Sequence, residues 1–69
     1  MPESTFAGRL RLLREAAGLT VAQLASAAGL QRTHLYQLEQ GARAPQWDTV
    51  QRLADALHVS TDLLRSQPE

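Results

Sequence analysis

TVAQLASAAGLQRTHLYQLEQG, residues 20–41, decides how this chain folds. The stretch divides at Gly29. Before it, Thr20 opens a capping box: its hydroxyl can accept from the Gln23 backbone, and the Gln23 side chain can reach back to Thr20. The helix that follows is short and ends at Ala28, with Val21, Leu24, Ala25 and Ala28 on its inner face. A further helix runs from Arg32 to Gln40, where Leu35 and Leu38 point back toward a core. Gly29 can take the positive φ that a sharp interhelical turn needs. Ala25, four residues earlier, is small enough to let the next helix approach. This spacing describes a helix-turn-helix, two helices crossing at roughly 90–120° about a brief turn. As an abstract pattern, Ala-x-x-x-Gly is only moderately specific.

Working outward, Phe6, Leu10, Leu13 and Ala17 recur at i, i+4, i+7 and i+11, the apolar stripe of an amphipathic helix. Ser4 or Thr5 can cap its start, and Gly18 suits the left-handed position past its end. On the other side, Val50, Leu53, Ala54 and Leu57 make the inner face of a helix from Trp47 to Leu57. Ser60 can cap a final short helix, with Asp62 near its positive end. Pro68 marks a frayed tail. No stretch alternates as a strand would. The expectation is an all-α, compact five-helix domain: a single unit over residues 1–69, with its core in 6–64 and short tails at 1–4 and 66–69.

A domain of 69 residues buries only ~60% of the surface its unfolded chain exposes, so self-association would help it. Cysteine is absent, which excludes disulfides and thiolate metal sites. No apolar run approaches the ~20 residues that span a bilayer. The opening MPESTF lacks the basic and apolar regions of a secretory signal. A cytoplasmic location is therefore expected. His34 and His58 lie far apart without zinc spacing, so no metal site is expected. The scattered Ser, Thr and acids form no nucleophile, base and orienting set. An enzyme, a cofactor and a small-molecule ligand are all unexpected.

The seven cationic side chains are all arginine, and seven acids balance them to zero net charge. That argues against nucleic-acid binding by bulk electrostatics. The distribution says more than the sum. Between residues 16 and 47 the only acid is Glu39, set against Arg32 and Arg43.

The segments LRLLREAAGLT, LASAAGL, LYQLEQGARAP and LADALHVS, followed by LL, fall in the order and spacing of one family. From about Phe6 to Leu64 the chain resembles the lambda-repressor-like, or XRE-type, helix-turn-helix proteins of phages and bacteria. Such a domain is expected to bind double-stranded DNA. At ~100° per residue, Arg32, Tyr36, Gln40, Thr33 and Gln37 fall within an arc of roughly 140°. Leu35 and Leu38 fall opposite. The polar face suits the major groove, where Arg can bind guanine N7 and O6, Gln can bind adenine N7 and N6, and Thr or Tyr can touch a thymine methyl.

The resemblance implies base contacts by Arg32, Thr33 and Gln37, with Tyr36 beside them. It implies phosphate contacts at Thr20 or Val21 through the backbone, and at Gln40 and Arg43. The family usually has Gln where Val21 stands, so one side-chain phosphate contact is missing; Arg43 can alternatively reach a groove. Glu39 is expected to pair with Arg14 on the first helix, a structural ion pair bracing the third helix. Trp47 is either a lid on the core or a contact in a homodimer. The functional expectation is a transcription regulator, a repressor on a near-palindromic operator. The rival is a protein-binding helical module, antitoxin-like or an anti-regulator partner, which zero net charge, Val21 and the lack of Lys favour.

Overall fold

The structure is a computed structural model and describes residues 5–64, apart from the Asp62 side chain. The expected tails, Ser4 as a cap, the Asp62 carboxylate and Pro68 lie outside the described residues. The elements are α1 (Phe6–Ala16), α2 (Val21–Ala28), α3 (Arg32–Glu39), α4 (Trp47–Leu57) and α5 (Thr61–Leu64). The first four are full helices, and α5 is a single turn of four residues. The described residues are all-α.

Local chemistry sets the boundaries. The Thr5 hydroxyl accepts from Gly8 N–H at 3.0 Å and starts α1. At α2 the capping box is complete: the Thr20 hydroxyl accepts from Gln23 N–H at 3.1 Å, and Gln23 Oε1 accepts from Thr20 N–H at 2.9 Å. Neither Gln31, before α3, nor Gln46, before α4, caps with its side chain. Tertiary packing therefore has to hold those two starts.

The ends follow one pattern. After α2, Leu30 N–H donates to the Ala25 carbonyl at 2.8 Å, and Gly29 N–H to Ser26 at 3.3 Å. This closure uses carbonyls that have no partner within the helix, and it needs a left-handed residue. Gly29 supplies it with φ 72°. After α4 the same closure is made by His58, at φ 59°, with Val59 N–H on the Ala54 carbonyl at 3.0 Å. A side chain in that region costs about 1–2 kcal/mol, so His58 holds its turn against a local preference.

The core is one cluster. Leu10, Leu24, Leu35, Leu38, Leu53 and Leu64 are fully buried, and Ala25, Ala28, Val50, Ala54 and Leu57 fill between them. Each element contributes to it. Helix α2 packs on α4 and α3, α1 on α3 and α5, and α4 on α5. One expectation needs correction. Ala17 belongs to the sequence stripe of the first helix but is exposed, because α1 ends at Ala16 and the chain turns away at its cap. Arg9, on the flank of α1, is half-buried and makes a long 3.5 Å bond to the Leu63 carbonyl of α5.

Candidate nucleic-acid interface

Helix α3 turns two leucines inward and its polar residues outward. Leu35 and Leu38 are fully buried, while Arg32, Thr33 and Tyr36 are exposed. Gln37 and His34 are half-buried at the margins of that face. The separation follows from eight residues at 3.6 per turn, with the leucines three apart. The helix stops at Glu39; Gln40, expected to be its last residue, is the cap that follows, and it is exposed.

At the C-terminal end of this face, Arg43 lies in the connection to α4. Its guanidinium donates to Gln37 Oε1 at 3.4 Å. A residue at the margin of the polar face and a loop cation are thereby held together. Nothing in the sequence spacing pointed to that bond, because it depends on how the loop after Gly41 folds back.

The start of α2 opens beside α3. Thr20 N–H is already given to Gln23, so it is not available to a phosphate. The N–H groups of Val21 and Ala22 follow it, at the end of a helix where backbone donors have no internal partner. Val21 is half-buried and lies with Arg32, Thr33 and Tyr36 around an open hollow between the two helices.

Glu39 would repel a polyanion if it stood alone. Instead it meets Arg14 of α1 in a two-pronged pair: Nε donates to Oε2 at 2.6 Å and Nη2 to Oε1 at 3.1 Å. The third nitrogen, Nη1, donates to the Leu19 carbonyl at 2.8 Å. A planar fork suits a carboxylate in this way. The side chains are only 13% and 6% exposed. The Glu39 hydrogen bond holds the Arg14 pKa above its usual value; desolvation opposes this, and the nearby charges of Glu39 and Glu15 add to it. Arg14 thus ties α1, the turn before α2, and α3 together. Sequence reading missed the Leu19 carbonyl, which carries no side-chain signal.

Trp47 stands at the first position of α4 and is 54% exposed. Nearly half of its surface is covered and the rest is open to solvent, so both the lid and the dimer contact stand as readings of Trp47. Thr49, two residues on, is buried. Among the described residues no group of three or more His, Cys, Asp or Glu could hold a metal ion. No helix among them is long and apolar enough to cross a membrane.

A braced bihelical unit with a polar outer face on its second helix defines a class, the helix-turn-helix domains. Residues 5–67 match the family described as a helix-turn-helix domain. Over 55 residues the chain is 38% identical to an HTH-type transcriptional regulator of Mycobacterium tuberculosis in strain CDC 1551 / Oshkosh, and equally to one in strain ATCC 25618 / H37Rv. The match takes in 80% of this chain but 39% of each relative, so the chain spans about two fifths of their length. It is also similar to the crystal structure of the restriction-modification controller protein C.AhdI from Aeromonas hydrophila. The identity there is 35% and the TM-score 0.85, over 91% of this chain and 94% of that one. The chain belongs to the family of helix-turn-helix domains, in its lambda-repressor-like branch.

Proposed function

We propose that this chain is a sequence-specific regulator that lays α3 in the major groove of double-stranded DNA. The observation that carries the reading is the face of α3: Arg32, Thr33 and Tyr36 are exposed while Leu35 and Leu38 are fully buried. Arg32 reads a guanine, Thr33 and Tyr36 contact base edges or thymine methyls, and Gln37 reads a neighbouring base. Phosphates sit on the Val21 backbone N–H, the Thr20 hydroxyl, Gln40 and Arg43, fixing register without reading sequence. The Arg14–Glu39 pair neutralises the carboxylate that α3 carries and fixes the angle at which α3 is presented.

Two copies bind a near-palindromic operator as a homodimer and repress transcription. Half-sites then lie about 34–36 Å apart, one turn of DNA. Trp47, large and about half exposed, is the candidate contact between copies, since Trp is enriched at interfaces. A dimer doubles the phosphate contacts, and each phosphate neutralised steepens the salt dependence by ~0.9. The binding partner in this reading is the genome, so the place of action is the cytoplasm.

Selection of bound duplexes from a random pool at low salt tests the proposal. The expected result is an enriched palindrome whose binding loses about 1–3 kcal/mol of discrimination at one base pair in Arg32→Ala. The rival, a protein-binding helical module, draws support from the two exposed rings, Tyr36 and Trp47. It predicts no enriched duplex and a tight protein partner recovered by pull-down.

A further inference from the structure

We infer that Val21 and Tyr36 form a receptor for the 5-methyl group of a thymine, within two base pairs of the guanine that Arg32 reads. This rests on the DNA reading above and deepens it: the chain selects a T·A pair close to a G·C pair, and α2 as well as α3 reads sequence.

The hollow between the start of α2 and α3 is lined by Val21, Arg32, Thr33 and Tyr36, with a volume of about 320 Å³. Three of the four offer carbon: the valine methyls, the threonine methyl and the tyrosine ring. The fourth offers a guanidinium. A second hollow shares Val21 and Tyr36 and continues to Arg11, Arg14, Glu39 and Gln40. Val21 and Tyr36 therefore form an apolar saddle between two polar ends. Tyr36 stands 55% exposed there. Val21 packs part of its side chain against the core and, being only half-buried, leaves the rest of its surface to the hollow.

Four side chains around an open notch cannot surround a small molecule, whose sites bury 70–90% or more of its surface. A large partner has to close the notch, bringing an apolar knob next to acceptors for the cation. The arginine-bearing segment favours a polyanion: between residues 16 and 47 the one acid is Glu39, and Arg14 holds it. On the major-groove edge of DNA the thymine methyl is the only apolar group, and guanine offers N7 and O6 together. Bases along a strand are ~3.4 Å apart, and Arg32 and Tyr36 are separated by ~6 Å along the helix. That is close to two base steps, which places the methyl on the saddle within two base pairs of the guanine that Arg32 spans.

The test replaces thymine by deoxyuridine, one position at a time, in the duplex that selection recovers. The full chain and its Val21→Ala and Val21→Thr variants are each titrated with every duplex. Alanine is the better helix former, so α2 should persist; thermal unfolding of the free proteins checks this. At one thymine within two base pairs of the Arg32-dependent guanine, deoxyuridine should weaken the parent about fourfold, the scale of burying one methyl group. Val21→Ala should be indifferent to that exchange, and Val21→Thr, which keeps one methyl, should retain part of it. A duplex that binds equally with either base, or a loss of equal size in Val21→Ala, would overturn the receptor and leave the DNA reading standing. Failure to recover any duplex would overturn both.

Discussion

Helices α3 and α4 spend their side chains in opposite ways. Helix α4 buries Thr49, Val50, Leu53, Ala54 and Leu57 among its 11 residues. Helix α3 buries only Leu35 and Leu38 among its eight. A helix so lightly anchored needs other means to stay in place, and it has the Arg14–Glu39 pair. The contrast separates a helix that packs from a helix that displays: hydrophobic burial positions the first, and a polar brace positions the second.

The largest effect should come from cutting the packing helix. Leu53 is fully buried, and its replacement by alanine should cost about 2–5 kcal/mol. Small domains rarely have more than ~3–5 kcal/mol from their core. Leu53→Ala should therefore be largely unfolded by circular dichroism at 25 °C. Next comes the brace. Glu39→Ala leaves the Arg14 guanidinium with the Leu19 carbonyl and, at 4.0 Å, the Glu15 carboxylate, and should cost about 2–3 kcal/mol. That is below the ~3–5 kcal/mol of a fully buried pair, because Leu19 O and some solvent remain. Urea unfolding measures it, and the double variant Arg14→Met, Glu39→Leu should recover much of the loss.

The brace also has a defined pH behaviour on the alkaline side. Arg14 has its pKa raised by Glu39, so its contribution is fully present below the ordinary arginine value. It is lost only as pH rises through the raised one. Stability assigned to Arg14 should stay flat across any neutral or mildly alkaline titration. The smallest effect concerns how α4 ends. His58→Gly should raise stability by about 0.5–1 kcal/mol: it removes the left-handed penalty, and the freer unfolded glycine takes part of the gain back.

Much of this was legible in the residues because it is local. The capping box is encoded in Thr20 and Gln23, the α2–α3 turn in Gly29, and the two faces of α3 in the placing of Leu35 and Leu38. What sequence left open depends on contacts across the fold. Arg9 reaching Leu63, Arg43 reaching Gln37 and Arg14 reaching the Leu19 carbonyl join segments whose relative placing no periodicity records. Trp47 shows the same limit, since an aromatic at a helix start can turn inward or outward with equal local grammar. Val21 was readable as apolar, but only the meeting of α2 with α3 puts it beside Tyr36.

The most direct test follows backbone amide signals by NMR while a selected duplex is titrated into the labelled chain at low salt. The account predicts that Arg32, Thr33, Tyr36 and Gln37 move most, with Val21 and Arg43 next, while Val50, Leu53 and Leu57 of α4 stay in place. Shifts concentrated on α4, or an α3 untouched by any duplex, would contradict it.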